Sequence, residues 1–199
     1  MTGQPAYLDL PVSQFLGQLA GPGPAPSGGG AAALAVSMGA GLCAMTARLS
    51  SRQLTAAGAE DLAATAERTA ARAAALVQAD ADAYAGVIAA RRQPAGTDGN
   101  GESRRRQIAA ALSDAAAVPM EIIELAVPVA GIAARLAAGG NPNLRGDAIT
   151  GALLAEAGAR AAAVLVGINL AGAAADDRPA RAARLAGEAA SFAAAAQRA

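Results

Sequence analysis

The segment Ala73-Ala74-Ala75-Leu76-Val77-Gln78-Ala79-Asp80-Ala81-Asp82-Ala83-Tyr84-Ala85-Gly86-Val87-Ile88 decides how this chain folds. It contains no proline and no strand-like alternation, and most of its residues favour helix. At roughly 100° per residue, Leu76, Val77, Tyr84, Val87 and Ile88 fall on one stripe, with Asp80 near its middle. Gln78 and Asp82 point away from the stripe. The segment predicts the inner half of a long helix running from about Arg52 to Arg92. A carboxylate centred on an apolar stripe loses hydration unless it is paired or protonated. That surrounding suits proton transfer, and it equally suits an Asp that caps a neighbouring helix or pairs with an Arg.

The composition carries the same pattern outward. Ala supplies roughly a third of the 199 residues, aromatic residues are 2% and β-branched ones are few. Ala is the best helix former and a poor core filler. The expected fold is all-α: a single domain, residues 1–199, of long antiparallel helices in a bundle, high in helix and without a sheet. Thin side chains bury little apolar area per helix, which predicts further burial in a homodimer.

Sixteen basic residues balance sixteen acidic ones, so no charge excess points to nucleic acid or an anionic membrane surface. Every basic residue is Arg, and there is no His. This excludes catalysis by Ser-His-Asp or Cys-His, Schiff-base or phosphate-loop lysine, and His-ligated metal. The single Cys43 excludes an internal disulfide and a multi-cysteine metal site. Asp, Glu and Tyr remain for acid–base work, and neither a metal nor a bound cofactor is expected. The first residues show no secretory pattern. Pro and Gly crowd the uncharged tract between Asp9 and Arg48, which reads as a buried helix rather than a membrane span. A cytoplasmic location follows as the expectation.

Along the chain, Ser13 can cap a short helix carrying Phe15, Leu16 and Leu19. Gly21 to Gly30 reads as non-helical. A helix is expected from Ala31 to about Leu49, and a loop from Pro94 to Gly101. Helix resumes near Ser103, bends at Pro119 and Pro128, and stops at Gly139-Gly140. Asn143 is a plausible cap for a helix from Leu144 to about Ala175. Asp176-Asp177-Arg178-Pro179 precedes the last helix.

Several other residues could carry chemistry. Ser27-Gly28-Gly29-Gly30 runs directly into a helix, where backbone N–H groups and the helix start favour a negative charge or a carbonyl oxygen. A breaker plus a cap explains the same residues. Gly140-Asn141-Pro142-Asn143-Leu144-Arg145-Gly146-Asp147 is a polar turn at a helix start. In the helix that follows, Leu153, Ala157, Ala161, Val164 and Ile168 read as a core stripe with Asn169 at its border; Val166 and Leu170 fall on the other side, so the helix reads as buried nearly all round. Glu156 and Arg160 are spaced to pair. Arg104-Arg105-Arg106 reads as a solvated face or a contact for an anionic ligand tail, and Cys43 as core.

With these residues in place, the chain resembles the cyclodeaminase family of folate enzymes, which includes stand-alone bacterial methenyltetrahydrofolate cyclohydrolases. The resemblance runs from about Val12 to Ala196. It rests on Phe15-Leu16 before Ala25-Pro26-Ser27-Gly28-Gly29-Gly30, on Asp80-Ala81-Asp82-Ala83-Tyr84 and on Ala117-Val118-Pro119-Met120. Gly140-Asn141 with Asp147, Glu156-Ala157-Gly158 and Ile168-Asn169-Leu170 complete it. The family usually has Pro-Gly-Gly-Gly-Ser where this chain has Pro26-Ser27-Gly28-Gly29-Gly30. Leu165 stands where relatives often have Asn, and Ala95 where they commonly have Lys.

The resemblance implies an all-helical dimer with Asp80 as the catalytic group. It implies a tetrahydrofolate derivative as substrate, bound by Ser27, Gly28, Gly29, Gly30, Tyr84, Asn141, Asp147 and Asn169, with arginines such as Arg104 to Arg106 at the glutamate tail. The implied reaction is hydrolysis of 5,10-methenyltetrahydrofolate to 10-formyltetrahydrofolate, since the sequence shows no formiminotransferase half. Release of ammonia from 5-formiminotetrahydrofolate is the alternative, and a non-catalytic folate-binding helical dimer is another.

Overall fold

The computed structural model describes residues 6–93, 101–173 and 175–199; the expected loop at Pro94 to Gly101 lies almost wholly outside them. Seven α-helices follow one another: α1 Val12–Leu19, α2 Gly28–Arg48, α3 Ala56–Arg92, α4 Glu102–Ala115, α5 Ala117–Gly139, α6 Arg145–Asn169 and α7 Arg178–Arg198. Short 3-10 turns occupy Tyr7–Asp9 and Pro142–Leu144, and no strand occurs among the described residues. The all-α expectation holds.

The central element is α2, which packs against α3 on one side, α6 on the other and α5 beneath. It runs antiparallel to both neighbours. Ser37 Oγ donates to the Ala70 carbonyl while Arg48, at the far end of α2, pairs with Glu67. α7 covers α5 and α6, and α4 folds back along α3. One apolar cluster runs through all of these helices except α4.

Three local differences from the sequence expectations have simple causes. The glycines Gly28 to Gly30 form the first turn of α2 rather than a preceding loop. A first turn needs no intrahelical partner for its N–H groups, so the low helix propensity of glycine costs least there. The helix expected to bend at Pro119 is two helices divided at Ala116. Pro119 then sits in the first turn of α5, where its missing N–H is not needed. Asn141, not Asn143, is the cap of its turn: its side chain accepts from the Asn143 N–H.

The fourth difference exposes one face of a helix expected to be buried nearly all round, although Val166 and Leu170 are buried as expected. On α6 the buried residues are Ala148, Gly151, Ala152, Ala155, Gly158, Ala159, Ala162 and Val166. Leu153, Val164 and Ile168, expected in the core, are exposed, the last two at 62%. The reason is close approach. A Cβ added to Gly158 would lie 2.5 Å from Val36 Cγ2 and 2.9 Å from the Ala32 carbonyl oxygen, and one added to Gly39 would lie 2.7 Å from the Gly151 carbonyl oxygen. The two backbones meet on their thinnest faces, which turns the larger side chains of α6 outward.

Gly158→Ala is therefore expected to force α2 and α6 apart and to destabilise the protein by about 1–3 kcal/mol, against the small propensity gain of alanine. Denaturant unfolding measures it. Unchanged stability would show that the contact is not tight.

At the other end of α6, Arg178 donates to the Ser113 carbonyl and Oγ on α4 and pairs with Asp176 at 2.6 Å. The hydrogen bonds from Arg178 hold the Asp176 carboxyl down at about 2. Cys43 is buried, and burial pushes its thiol up to about 12, which agrees with a core role.

Candidate active site

The N-terminal turn of α2 presents free N–H groups and the positive end of the helix dipole. The antiparallel packing of α2 on α3 brings Asp80 to that turn. Its Oδ2 accepts hydrogen bonds from Ser27 Oγ at 2.9 Å and from the Gly30 N–H at 3.0 Å. The carboxylate is half-buried and paired, so one half of it caps α2. Among the described residues no hydrogen bond reaches Oδ1. Gly29 explains the fit: a Cβ there would overlap Asp80 Oδ1 and Cγ and lie 2.7 Å from Oδ2. Only a glycine leaves room for the carboxylate against the helix start.

Beside this carboxylate lies a cavity of about 280 Å³. Its floor comes from Ser27, Gly28, Gly29 and Asp80, and Ala83 and Tyr84 extend the α3 side. Leu165, Ile168 and Asn169 close it from the end of α6, while Ala115 and Pro119 close it from the α4–α5 junction. Among the described residues Asp80 is the only carboxylate on the lining, and Tyr84 and Asn169 are its other polar side chains apart from Ser27. Tyr84, at 40% exposure, stands at the rim rather than in the core stripe. Leu76, Val77 and Val87 of that stripe are buried.

The residues singled out from sequence thus divide into two groups. Ser27, Gly28, Gly29, Gly30, Asp80, Tyr84 and Asn169 meet at one end of α2. Asn141 and Asp147 lie at the other end. Asn141 donates its backbone N–H to Ser50 Oγ and its side-chain amide to the Leu49 carbonyl. Asp147 is in the first turn of α6. With the 21 residues of α2 rising about 1.5 Å each, some 30 Å separates the groups within one chain.

Sequence reading passed over Ala115, Pro119 and Pro24 as cavity walls. The proline that opens α5 was the available signal. Arg104 donates to the Arg91 carbonyl and Arg106 pairs with Glu102, so this basic cluster joins the outer ends of α3 and α4. It lies about 16 Å along α3 from Asp80 at 1.5 Å per residue. Glu156 and Arg160 pair as expected, at 3.6 Å.

A helical protein that holds one oxygen of a carboxylate at a helix start and leaves the other without such a partner, on a residue that lines a small cavity, has the makings of an acid–base site for a small molecule. Its lineage is more specific. The formiminotransferase-cyclodeaminase family model matches residues 11–189, and the chain belongs to that family of folate enzymes. Its structure is similar to the crystal structure of formiminotetrahydrofolate cyclodeaminase from Thermotoga maritima, with a TM-score of 0.79 over 96% of this chain and 94% of that one. Sequence identity is 23%, so this likeness is one of fold. No curated protein matches the sequence.

Proposed function

We propose that the protein hydrolyses 5,10-methenyltetrahydrofolate to 10-formyltetrahydrofolate, with Asp80 as the proton shuttle. The observation that supports this is the division of the Asp80 carboxylate, with Oδ2 held by two donors and Oδ1 left over Gly29 beside the cavity. The methenyl group is a cationic carbon between two nitrogens, and a fixed carboxylate attracts it. Water adds to that carbon and gives one proton to Oδ1. The carbon–N5 bond of the tetrahedral adduct then breaks, its electron pair goes to N5, and Asp80 returns the proton there. The second proton of the water leaves to solvent, and the formyl group stays on N10. Tyr84 and Asn169 orient the pterin and the bridging carbon.

Cyclodeamination of 5-formiminotetrahydrofolate needs the same shuttle and is the second reading. Hydrolysis is placed first because Ala115, Pro119, Leu165 and Ile168 leave Asn169 as the amide that joins Tyr84, Ser27 and Asp80 on the lining. A single attacking water needs no more than one such amide and Asp80. The test gives purified protein each substrate separately. Loss of the methenyl chromophore above the buffer rate supports hydrolysis, and its appearance from the formimino compound supports deamination. No rate with either leaves a non-catalytic folate binder. The glutamate tail would run along α3 and α4 toward Arg91, Arg92 and Arg104 to Arg106.

We also propose that the protein works as a soluble cytoplasmic homodimer through α2 and α6. Met38, Met45 and Leu49 are exposed on α2, and Leu153, Val164 and Ile168 on the adjoining face of α6. Three stretches, Gly28–Arg48, Glu102–Gly139 and Pro142–Asn169, are long and apolar enough to cross a membrane by length and composition. Between 39% and 56% of each is buried against the rest of the protein. A two-fold axis perpendicular to α6 sets the partner antiparallel and carries its Asn141 and Asp147 end toward Asp80, so both groups of site residues would serve one cavity. A Leu153→Glu, Val164→Glu double variant is expected to be monomeric by light scattering and to lose activity. A variant that remains dimeric would place the interface elsewhere.

A further inference from the structure

We propose that Ser27 is a positioning residue for Asp80, one that makes the two carboxylate oxygens unequal, and not a hydrogen-bond donor to the substrate. The proposal rests on the reading of Asp80 as the proton shuttle.

Ser27 occupies the N-cap position of α2 with extended backbone, yet its side chain makes no cap hydrogen bond. An N-cap serine ordinarily accepts from the N–H two or three residues on. Here the N–H three residues on, that of Gly30, donates to Asp80 Oδ2 instead. Ser27 turns its hydroxyl the same way and donates to the same oxygen at 2.9 Å. A serine hydroxyl has one proton, so a Ser27 that donates to Asp80 has none left to donate to the substrate.

The geometry has a directional consequence. One donor alone leaves a carboxylate free to turn about its Cβ–Cγ bond. Two donors on one oxygen, from Ser27 and Gly30, fix its plane, and the bare Cα of Gly29 receives the rest of the group. Oδ1 is then the oxygen that exchanges the proton, held at one place relative to the cavity.

The hydroxyl need not come from position 27. A Cβ added to Gly30 would meet Val77 Cγ1 at 3.5 Å, the Val77 carbonyl oxygen at 3.7 Å and Pro26 Cβ at 3.9 Å, all ordinary contacts. A serine fits there, on the residue whose N–H already reaches Oδ2. The turn therefore has room for a hydroxyl-bearing side chain at position 30 as well.

The test combines steady-state kinetics on 5,10-methenyltetrahydrofolate with crystal structures of wild type and Ser27→Ala. Ser27→Ala is expected to lower kcat about 10- to 100-fold, the usual effect of removing a partner that orients a reacting group, with KM within about twofold. Ser27→Thr keeps the hydroxyl and most of the rate, and the Ser27→Ala, Gly30→Ser double variant recovers much of it. In the Ser27→Ala crystal the Asp80 carboxylate is expected to lose its single position over Gly29. A Ser27→Ala enzyme with unchanged kcat, or with only a raised KM, overturns the proposal. So does failure of both hydroxyl-bearing variants to restore the rate. An unmoved carboxylate in the crystal overturns it without reference to any substrate, whereas a wild type inactive on both folates sinks only the proposed function.

Discussion

Asp80→Asn is expected to lower turnover about 10²- to 10⁴-fold, the range that a positioned acid–base group contributes, with the fold intact. The replacement is nearly isosteric, and the orientation of the new amide follows from its partners. Its carbonyl oxygen can still accept from Ser27 Oγ and the Gly30 N–H, as Oδ2 does now. That places the amide nitrogen over Gly29, where Oδ1 lay. The cap of α2 survives, and so does the packing of α2 on α3. What disappears is an atom that can take a proton from water and return it to a departing nitrogen. Loss of negative charge beside a cationic carbon acts in the same direction. The measurement is the rate of methenyl chromophore loss, with thermal unfolding as the control for folding. Full turnover in Asp80→Asn would remove the acid–base assignment.

The sequence made α3 legible because its larger side chains stand out against alanine. Leu76, Val77 and Val87 are buried as their spacing required, and Asp80 sits among them. Of the alternative roles of Asp80, capping a neighbouring helix is the one that its hydrogen bonds show. Capping falls to Oδ2, and Oδ1 is the atom that the proposed proton transfer uses. Helix spacing could not show this, because it depends on which helix start lies opposite.

The α6 stripe misled for a physical reason. Spacing identifies an apolar face, and size ordinarily identifies the buried one, but a chain rich in Ala and Gly can bring backbones together instead. Gly151, Ala155, Gly158 and Ala162 then form the seam, and Leu153, Val164 and Ile168 stay outside. The family resemblance placed Asn141 and Asp147 in the site by sequence order. Order along a chain does not say at which end of a helix a residue lies, and α2 holds these two far from the Asp80 of their own chain.

Gly29→Ala is expected to remove activity as completely as loss of the carboxylate itself, although it adds one methyl group and touches no reacting atom. The new Cβ would overlap Asp80 Oδ1 and Cγ and lie 2.7 Å from Oδ2. The obstacle is the Asp80 side chain, so the carboxylate must turn away and lose both Ser27 and Gly30. Helix propensity moves the other way, though in this first turn by less than the roughly 0.5–1 kcal/mol that separates alanine from glycine within a helix. A stability measurement alone would therefore miss the damage. Gly28→Ala is the matched control. A Cβ at Gly28 meets nothing within 4 Å, and this residue lines the cavity. Its methyl group enters ligand space without touching Asp80, so it should raise KM while kcat persists. One methyl group thus reads out two functions on neighbouring residues, proton transfer at Gly29 and binding at Gly28. Equal effects on kcat at both positions would mean that the turn as a whole, and not the seat of one carboxylate, sets the rate.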